Sequence, residues 1–351
     1  MRRYRVGYIR GDGVGPEIVD AALSVLVELA EDLELVELRA GYELYKRTGR
    51  LLEEGFFDRA RELDAILKGP LHTPPGPESP RSVNLLIRRE LDLYANVRPF
   101  ASYEGVSIGR FDFVIIRENT EDLYVGIEGR HGGSAFSLKV ITEEGSRRVS
   151  RFALRYAASR GYKRVTVVHK ANVMKETDGL FREVFLREAS SYAGAFEVDE
   201  MIVDSAAYNL VRSPNRFGVI VSPNLYGDIL SDVAAALVGS LGLCGSAQIG
   251  DRIAVFEPVH GTAPDIAGRG VANPLGQLKA AALMLEHLAE SRGDEKLRRA
   301  ASALERAMRR LVERGGPLTP DLGGSASTRE VAEEVKRLSL ALLGELFGST
   351  S

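Results

Sequence analysis

Phe217-Gly-Val-Ile-Val-Ser222-Pro-Asn224-Leu-Tyr-Gly-Asp228-Ile-Leu-Ser-Asp232 joins an apolar, β-branched run to an amphipathic stretch. The first part reads as a strand and the second as the start of a helix, so the stretch is one β-α unit. Asp228 and Asp232 stand four residues apart and share a helix face. A paired carboxylate face suits a hard divalent cation such as Mg²⁺ or Mn²⁺, which takes oxygen ligands and keeps positions open for a substrate. Two solvated acids near a helix N-terminus, favoured there by the macrodipole, give the same pattern. A motif this short does not decide between the two.

Outward from this unit the chain keeps alternating. Strand-like runs fall at 5–9, 33–39, 64–68, 111–117, 164–169, 217–222 and 252–256. Helical periodicity falls at 17–30, 83–91, 146–159, 179–190, 228–238, 275–290 and 295–314. That alternation predicts an α/β fold. At 351 residues two domains are expected. Proline or glycine interrupts the periodic segments after Arg98-Pro99 and near Gly250, which makes these the expected crossing points. Thr73-Pro-Pro-Gly-Pro77 reads as a stiff surface connection.

Composition narrows the function classes. A formal net charge of −3 with scattered basic residues gives no footprint for nucleic acid. The single cysteine, Cys244, excludes an internal disulfide framework, fits a reducing compartment and reads as a buried structural thiol. The chain opens directly on the run at 5–9 without a signal-like segment, and no stretch is apolar enough to span a membrane. A soluble, cytoplasmic protein is expected.

Gly11-Asp-Gly-Val-Gly15 follows a strand and precedes a helix, as a dinucleotide-binding turn does. It lacks the third correctly spaced glycine, and Pro16 opens the helix. The residues therefore read as a tight turn, and a standard Rossmann fold is not expected. Arginines form a second group. Arg88 follows Asn84 by four on one helix, while Arg98 and Arg117 close strand-like runs. Three converging guanidinium forks would suit a di- or tricarboxylate. Taken singly, each is a common surface ion-pair residue, and spacing does not establish convergence.

Gly11-Asp-Gly-Val-Gly-Pro16, Leu91-Asp-Leu-Tyr-Ala-Asn-Val-Arg-Pro99, Arg117-Glu-Asn-Thr-Glu121, His169-Lys-Ala-Asn172, Asn224-Leu-Tyr-Gly-Asp228 and His260-Gly-Thr-Ala-Pro-Asp-Ile-Ala-Gly268 occur in this order along nearly the whole chain. Together they resemble the metal-dependent β-decarboxylating dehydrogenases, the isocitrate, homoisocitrate and 3-isopropylmalate enzymes. The resemblance implies a two-domain α/β fold with a large domain of residues 1–99 and 251–351 on the cofactor side. Residues 100–250 would form a small domain with the metal ligands and the dimer interface. It also implies a homodimer whose two active sites borrow residues from each other.

By resemblance, Arg88, Arg98 and Arg117 clamp substrate carboxylates, and Tyr124 and Lys170 form the acid/base pair, Lys170 reaching across the dimer. Asp228 and Asp232 would hold Mg²⁺ or Mn²⁺, joined by Asp204 of the other subunit. The residue types suit the chemistry, since a chelated 2-hydroxy acid loses its hydroxyl proton readily and a phenol can protonate the enolate left after decarboxylation. An ordinary half-buried tyrosine and a solvated lysine are the plain readings of Tyr124 and Lys170. His169 reads as scaffold.

Members that resemble NADP users carry Lys-Tyr where this chain has Asp265-Ile266. A carboxylate there would bind ribose hydroxyls and repel a 2′-phosphate, so the expected cofactor is NAD; a local turn cap is the plain reading of Asp265. Thr73, His260, Gly261, Thr262, Ala263 and Asn273 complete the cofactor site by resemblance. Ser82 and Asn84 match the isocitrate pattern, offering polar partners to a third carboxylate where isopropylmalate enzymes resemble Glu-x-x-Leu-Leu. Ser82 could also be a helix N-cap. Homoisocitrate, or else 3-isopropylmalate, is the alternative substrate, and Arg81, not required for isocitrate, is the departure. A non-catalytic regulatory subunit of the same fold is the alternative of a different class. The presence of Tyr124, Lys170, Asp204, Asp228 and Asp232 favours a catalytic chain.

Overall fold

The computed structural model describes residues 3–74, 80 and 82–348. Arg81 and the segment from Pro75 to Pro77 lie outside the described residues. The chain runs β1 Tyr4–Ile9, α1 Gly15–Leu29, β2 Leu33–Glu37, α2 Tyr42–Thr48, α3 Phe56–Arg61, β3 Ala65–Lys68, α4 Val83–Glu90, β4 Ala95–Ala101 and β5 Asp112–Glu118. It continues through β6 Glu128–His131, β7 Ser134–Ser137, α5 Glu143–Arg160, β8 Arg164–His169, α6 Thr177–Ala189, β9 Glu197–Ile202, α7 Val203–Arg212, β10 Val219–Ser222 and α8 Asn224–Val238. It closes with β11 Gly245–Ile249, β12 Ala254–Pro258, α9 Leu275–Arg292, α10 Glu295–Glu313 and α11 Thr328–Gly348.

Ten strands form one sheet in the order β2-β1-β3-β12-β11-β4-β5-β10-β8-β9. The strands β2, β1, β3 and β12 are mutually parallel, as are β5, β10, β8 and β9. Between these halves β11 and β4 pair antiparallel with their neighbours, so the two halves point in opposite directions. The sheet is continuous across both expected crossing points. Arg98 does not end its strand; β4 runs on to Ala101. Pro99 is tolerated because β11 pairs only with Ala95 to Val97, leaving the far part of β4 hydrogen-bonded on one side.

The larger apolar cluster joins α1, α9, α10 and α11 to one face of β1, β3 and β12 and, around β5 and β10, takes in both faces of the sheet with α5, α6, α7 and α8. A smaller one, with Ile66, Val83, Ile87, Leu91 and Val255, lies on the opposite face under α3 and α4. Strand alternation explains this split: Ala65 and Leu67 enter the first cluster, Ile66 enters the second and Lys68 follows on its side. Elements absent from the sequence reading include α11, whose Val331, Val335, Leu338 and Leu342 are buried at helical spacing. β9 was hidden by Glu197, Asp199 and Glu200, acids that an edge strand tolerates. Cys244 is buried, and burial pushes its thiol up to about 12, in keeping with a structural role. Among the described residues no helix is long and apolar enough to cross a membrane.

The turn after β1 is built for close packing. A Cβ on Gly13 would sit 2.0 Å from the Thr262 carbonyl oxygen, at a φ of +61° that favours glycine. Asp12 turns inward instead of towards a ligand: its carboxylate accepts hydrogen bonds from the backbone N–H groups of Tyr42 (2.9 Å), Glu43 (2.9 Å) and His72 (2.8 Å). It thus caps α2 from another part of the chain. Asp12→Ala should lower stability by about 2 kcal/mol, because three N–H groups lose their acceptor. The check is the urea midpoint, expected to fall at unchanged slope.

Candidate active site

A row of polar side chains crosses the middle of the sheet on the face that carries α4 and α8. Glu257 of β12 lies opposite Ser246, Gln248 of β11 opposite Asn96, and Asn96 of β4 opposite Arg117 of β5. All are buried. Hydrogen bonds connect them. Asn119 donates to Gln248 Oε1 (2.9 Å) and to the Leu93 carbonyl (2.9 Å), and Asn96 donates to Asn119 Oδ1 (3.3 Å).

The three expected arginines converge on this row. Arg88, on the buried side of α4, donates through Nε to Gln248 Oε1 at 2.8 Å. Arg98 Nη1 reaches Asp228 Oδ1 at 3.3 Å. Arg117 also pairs with Asp228 Oδ1, and its Nε donates to Asn224 Oδ1 at 2.9 Å. Gly227 makes that approach possible, since a Cβ there would lie 2.7 Å from the Arg117 side chain. Arg117 Nη2 is buried with no hydrogen-bond partner among the described residues. Burial first, then the neighbouring Arg98 and Arg88, push the Arg117 guanidinium down to about 9, so it stays charged at neutral pH.

Tyr124 joins the same cluster. Glu118 accepts from the Thr120 (2.7 Å) and Glu121 (2.9 Å) N–H groups, which folds the chain back after β5. Asp122 then caps both the Leu123 N–H (2.8 Å) and the Leu225 N–H (2.8 Å) at the start of α8. These caps set the phenol against the helix, where it donates to Asp228 Oδ2 at 2.6 Å, and the Arg117 guanidinium lies 4.9 Å from the ring centre. Burial raises the Tyr124 pKa, keeping the phenol protonated. Burial also pushes the Asp228 carboxyl up, but Arg117, Arg98 and the phenol outweigh it and hold the carboxyl below its usual range. Asp232, one turn on, is shifted upward by burial and by the charge of Asp228.

Two side-chain oxygens sets on one helix face fit a hard divalent cation that keeps several positions for water or substrate. The like-charge strain between Asp228 and Asp232 is what such a cation relieves. Among the described residues no group of three or more metal-ligating side chains surrounds one point. Asp204 lies elsewhere in the chain, at the start of α7, ion-paired to Lys170 at the end of β8. No hydrogen bond or ion pair links this pair to the Asp228 cluster among the described residues.

Of the expected cofactor residues, the loop around Thr262 lies beside the turn after β1. The Thr262 carbonyl accepts from the Val14 N–H at 2.9 Å. Ala263 adopts φ +39°, a strained value for a residue with a side chain. Desolvation lowers the His260 pKa. Asp265 is exposed and caps no local turn; no hydrogen bond or ion pair engages its carboxylate among the described residues. Ile266 packs under this loop against Val14 and Ile18. Asn273 is tied down, donating to Asp321 at 2.9 Å and accepting from the Leu275 N–H at 3.0 Å. Thr73 lies in the loop after β3, and Ser82 stands at the N-cap of α4 without a capping hydrogen bond, so its hydroxyl is not spent on the helix.

Sequence reading missed the residues behind the arginines: Lys68, Asn96, Glu118, Asn119, Asn224, Gln248 and Glu257. A signal existed. Lys68 ends the run Ala65-Ile-Leu, and Glu257 follows Ala254-Val-Phe, so each places a charge where a buried strand should be apolar.

The chain matches the family model described as isocitrate/isopropylmalate dehydrogenase over residues 5–335. It is 44% identical over 339 residues to the 3-isopropylmalate dehydrogenase of Methanothermobacter thermautotrophicus, covering 96% of this chain and 99% of the relative. It is 43% identical over 345 residues to the homoisocitrate dehydrogenase of Methanocaldococcus jannaschii, covering 94% and 96%. The crystal structure of isocitrate dehydrogenase from Methylococcus capsulatus superposes with a TM-score of 0.89 at 41% identity, covering 96% of this chain and 99% of that one. With the arginine cluster, the paired aspartates and a match that runs through the whole site, this chain belongs to the isocitrate/isopropylmalate dehydrogenase family, the decarboxylating dehydrogenases.

Proposed function

We propose that the protein oxidatively decarboxylates isocitrate to 2-oxoglutarate with reduction of NAD, in the presence of Mg²⁺ or Mn²⁺. The observation that carries the reading is a surplus of buried positive charge. Arg88, Arg98 and Arg117 face one another with Asp228 as the carboxylate between two of them, and Arg117 Nη2 has no hydrogen-bond partner among the described residues. Carboxylates of a substrate would complete these forks.

When bound, a divalent cation held by Asp228 and Asp232 lowers the pKa of the substrate hydroxyl and withdraws charge from the neighbouring carbon. The arginines orient the acid. Tyr124 carries the proton for the enolate, and its present bond to Asp228 is the one that substrate must displace. Lys170 assists from the partner subunit, with Asp204 beside it as the third carboxylate. In this reading the chain forms a homodimer of two-lobed subunits, residues 1–99 with 251–351 making one lobe and 100–250 the other. The free carboxylate of Asp265 supports NAD over NADP.

Ser82 and Asn84 on α4 favour a third carboxylate on the substrate over an alkyl group. Homoisocitrate is the second reading, favoured by the Methanocaldococcus relative that bears that name. NADH formation with isocitrate, homoisocitrate and 3-isopropylmalate, each with and without EDTA, decides among them. Isocitrate is expected to give the highest kcat/KM and EDTA to abolish it; activity that survives exhaustive chelation would refute the metal assignment.

Replacing Asp265 by Lys together with Ile266 by Tyr should move kcat/KM from NAD towards NADP by about a hundredfold in ratio, since a repulsive charge becomes an attractive one. A native enzyme that already prefers NADP would contradict this reading of Asp265.

Lys170→Met and Asp228→Asn homodimers should each be nearly inactive. In a mixed dimer one site collects both lesions and the other neither. With random reassortment, activity should recover to roughly a quarter of wild type. Continued inactivity despite confirmed subunit exchange would place Lys170 in its own subunit's site or outside the reaction.

A further inference from the structure

Lys68 is the charged residue of β3 and is 1% exposed. Its ammonium faces three acceptors: the Gly69 carbonyl at 3.1 Å, Asn84 Oδ1 at 3.1 Å and the Glu257 carboxylate. An ammonium offers three N–H donors and no acceptor. All three are used inside the protein, which leaves Lys68 none for a ligand.

The consequence falls on Asn84. Only its carbonyl oxygen can face an ammonium, so the orientation of the amide is set by charge and not by packing. Nδ2 is turned the other way, where one N–H points to the Leu71 carbonyl at 3.4 Å and the second meets no acceptor among the described residues. Asn84 precedes Arg88 by four on α4, so both lie on one face of the helix. At this point the site can donate a hydrogen bond and cannot accept one. A carboxylate oxygen gains from that donor, and an alkyl group leaves it unpaired.

We propose that Lys68 is a positioning residue that locks the Asn84 amide as a donor and thereby selects substrates with a third carboxylate over those with an alkyl substituent. The inference rests on the function proposed above and adds the device that enforces it. Glu257 is part of the device, because it balances the ammonium and, through Gln248, shares the network that holds Arg88.

Lys68→Met alone would strand the buried Glu257 carboxylate, so the variant to make is Lys68→Met with Glu257→Gln. The readout is kcat/KM for isocitrate divided by that for 3-isopropylmalate, with KM for NAD measured alongside. Measured against Glu257→Gln alone, which carries any loss that comes through the Arg88 network, the ratio is expected to fall about tenfold, through a raised KM for isocitrate, while 3-isopropylmalate and NAD differ from that control by less than about twofold. A role in general structure would depress all three alike. An unchanged ratio, or equal losses on both substrates, overturns the proposal. If the double variant does not fold, Lys68→Gln with Glu257→Gln keeps polar atoms in place while letting the residue-68 amide present either end, and the same ratio is read. Failure of the substrate reading is visible separately, because the native enzyme would then prefer 3-isopropylmalate before any substitution is made.

Discussion

Positive charge buried across the middle of the sheet is the constraint on which the site depends. A buried guanidinium or ammonium is tolerated only with partners that replace water, and here the cations draw them from segments remote in sequence, some of them shared. Lys68 uses Glu257, Arg88 uses Gln248, and Arg98 and Arg117 share Asp228. Gln248 in turn is held by Asn119. Removing one member would strand another, so α4, β4, β5, α8, β11 and β12 hold their places jointly. The same arrangement is left short of negative charge, which is the electrostatic basis of the carboxylate-binding role proposed for it.

The periodic elements were legible because their patterns are local. The strand at Arg164–His169 coincides with the apolar run, and the helices at 275 and 295 start where the pattern starts. α8 begins four residues earlier than the pattern at 228, because Asn224, Leu225 and Tyr226 belong to its first turn. Pro99 does not end β4, because the far part of that strand is paired on one side alone. Convergence of Arg117 with Asp228 and Tyr124 was not legible from spacing, because those contacts join segments that are remote in sequence. The motif resemblance pointed to them; local periodicity could not.

Relatives of similar identity carry the names of different substrates. Fold and chemistry therefore leave substrate choice to a small part of the site, proposed above to lie at the start of α4. In this chain that part includes a serine hydroxyl released from capping and an amide whose direction is imposed from the strand below it. A change of preference requires no change of architecture.

The order of the strands has a consequence for synthesis on the ribosome. β3 has β1 on one side and β12 on the other, and Val255 and Phe256 of β12 lie opposite Ile66 and Leu67. When β1, α1, β2 and β3 have emerged, the partner for the open edge of β3 is still far from translation. That edge is apolar, with Ala65, Ile66 and Leu67 fully buried in the finished protein. A nascent chain must therefore carry an unpaired, sticky strand until the last third arrives, a situation that favours mispairing between neighbouring chains. The terminal strand of the sheet core acts as a closing stitch, and truncation anywhere before it leaves the first half of the protein exposed to aggregation.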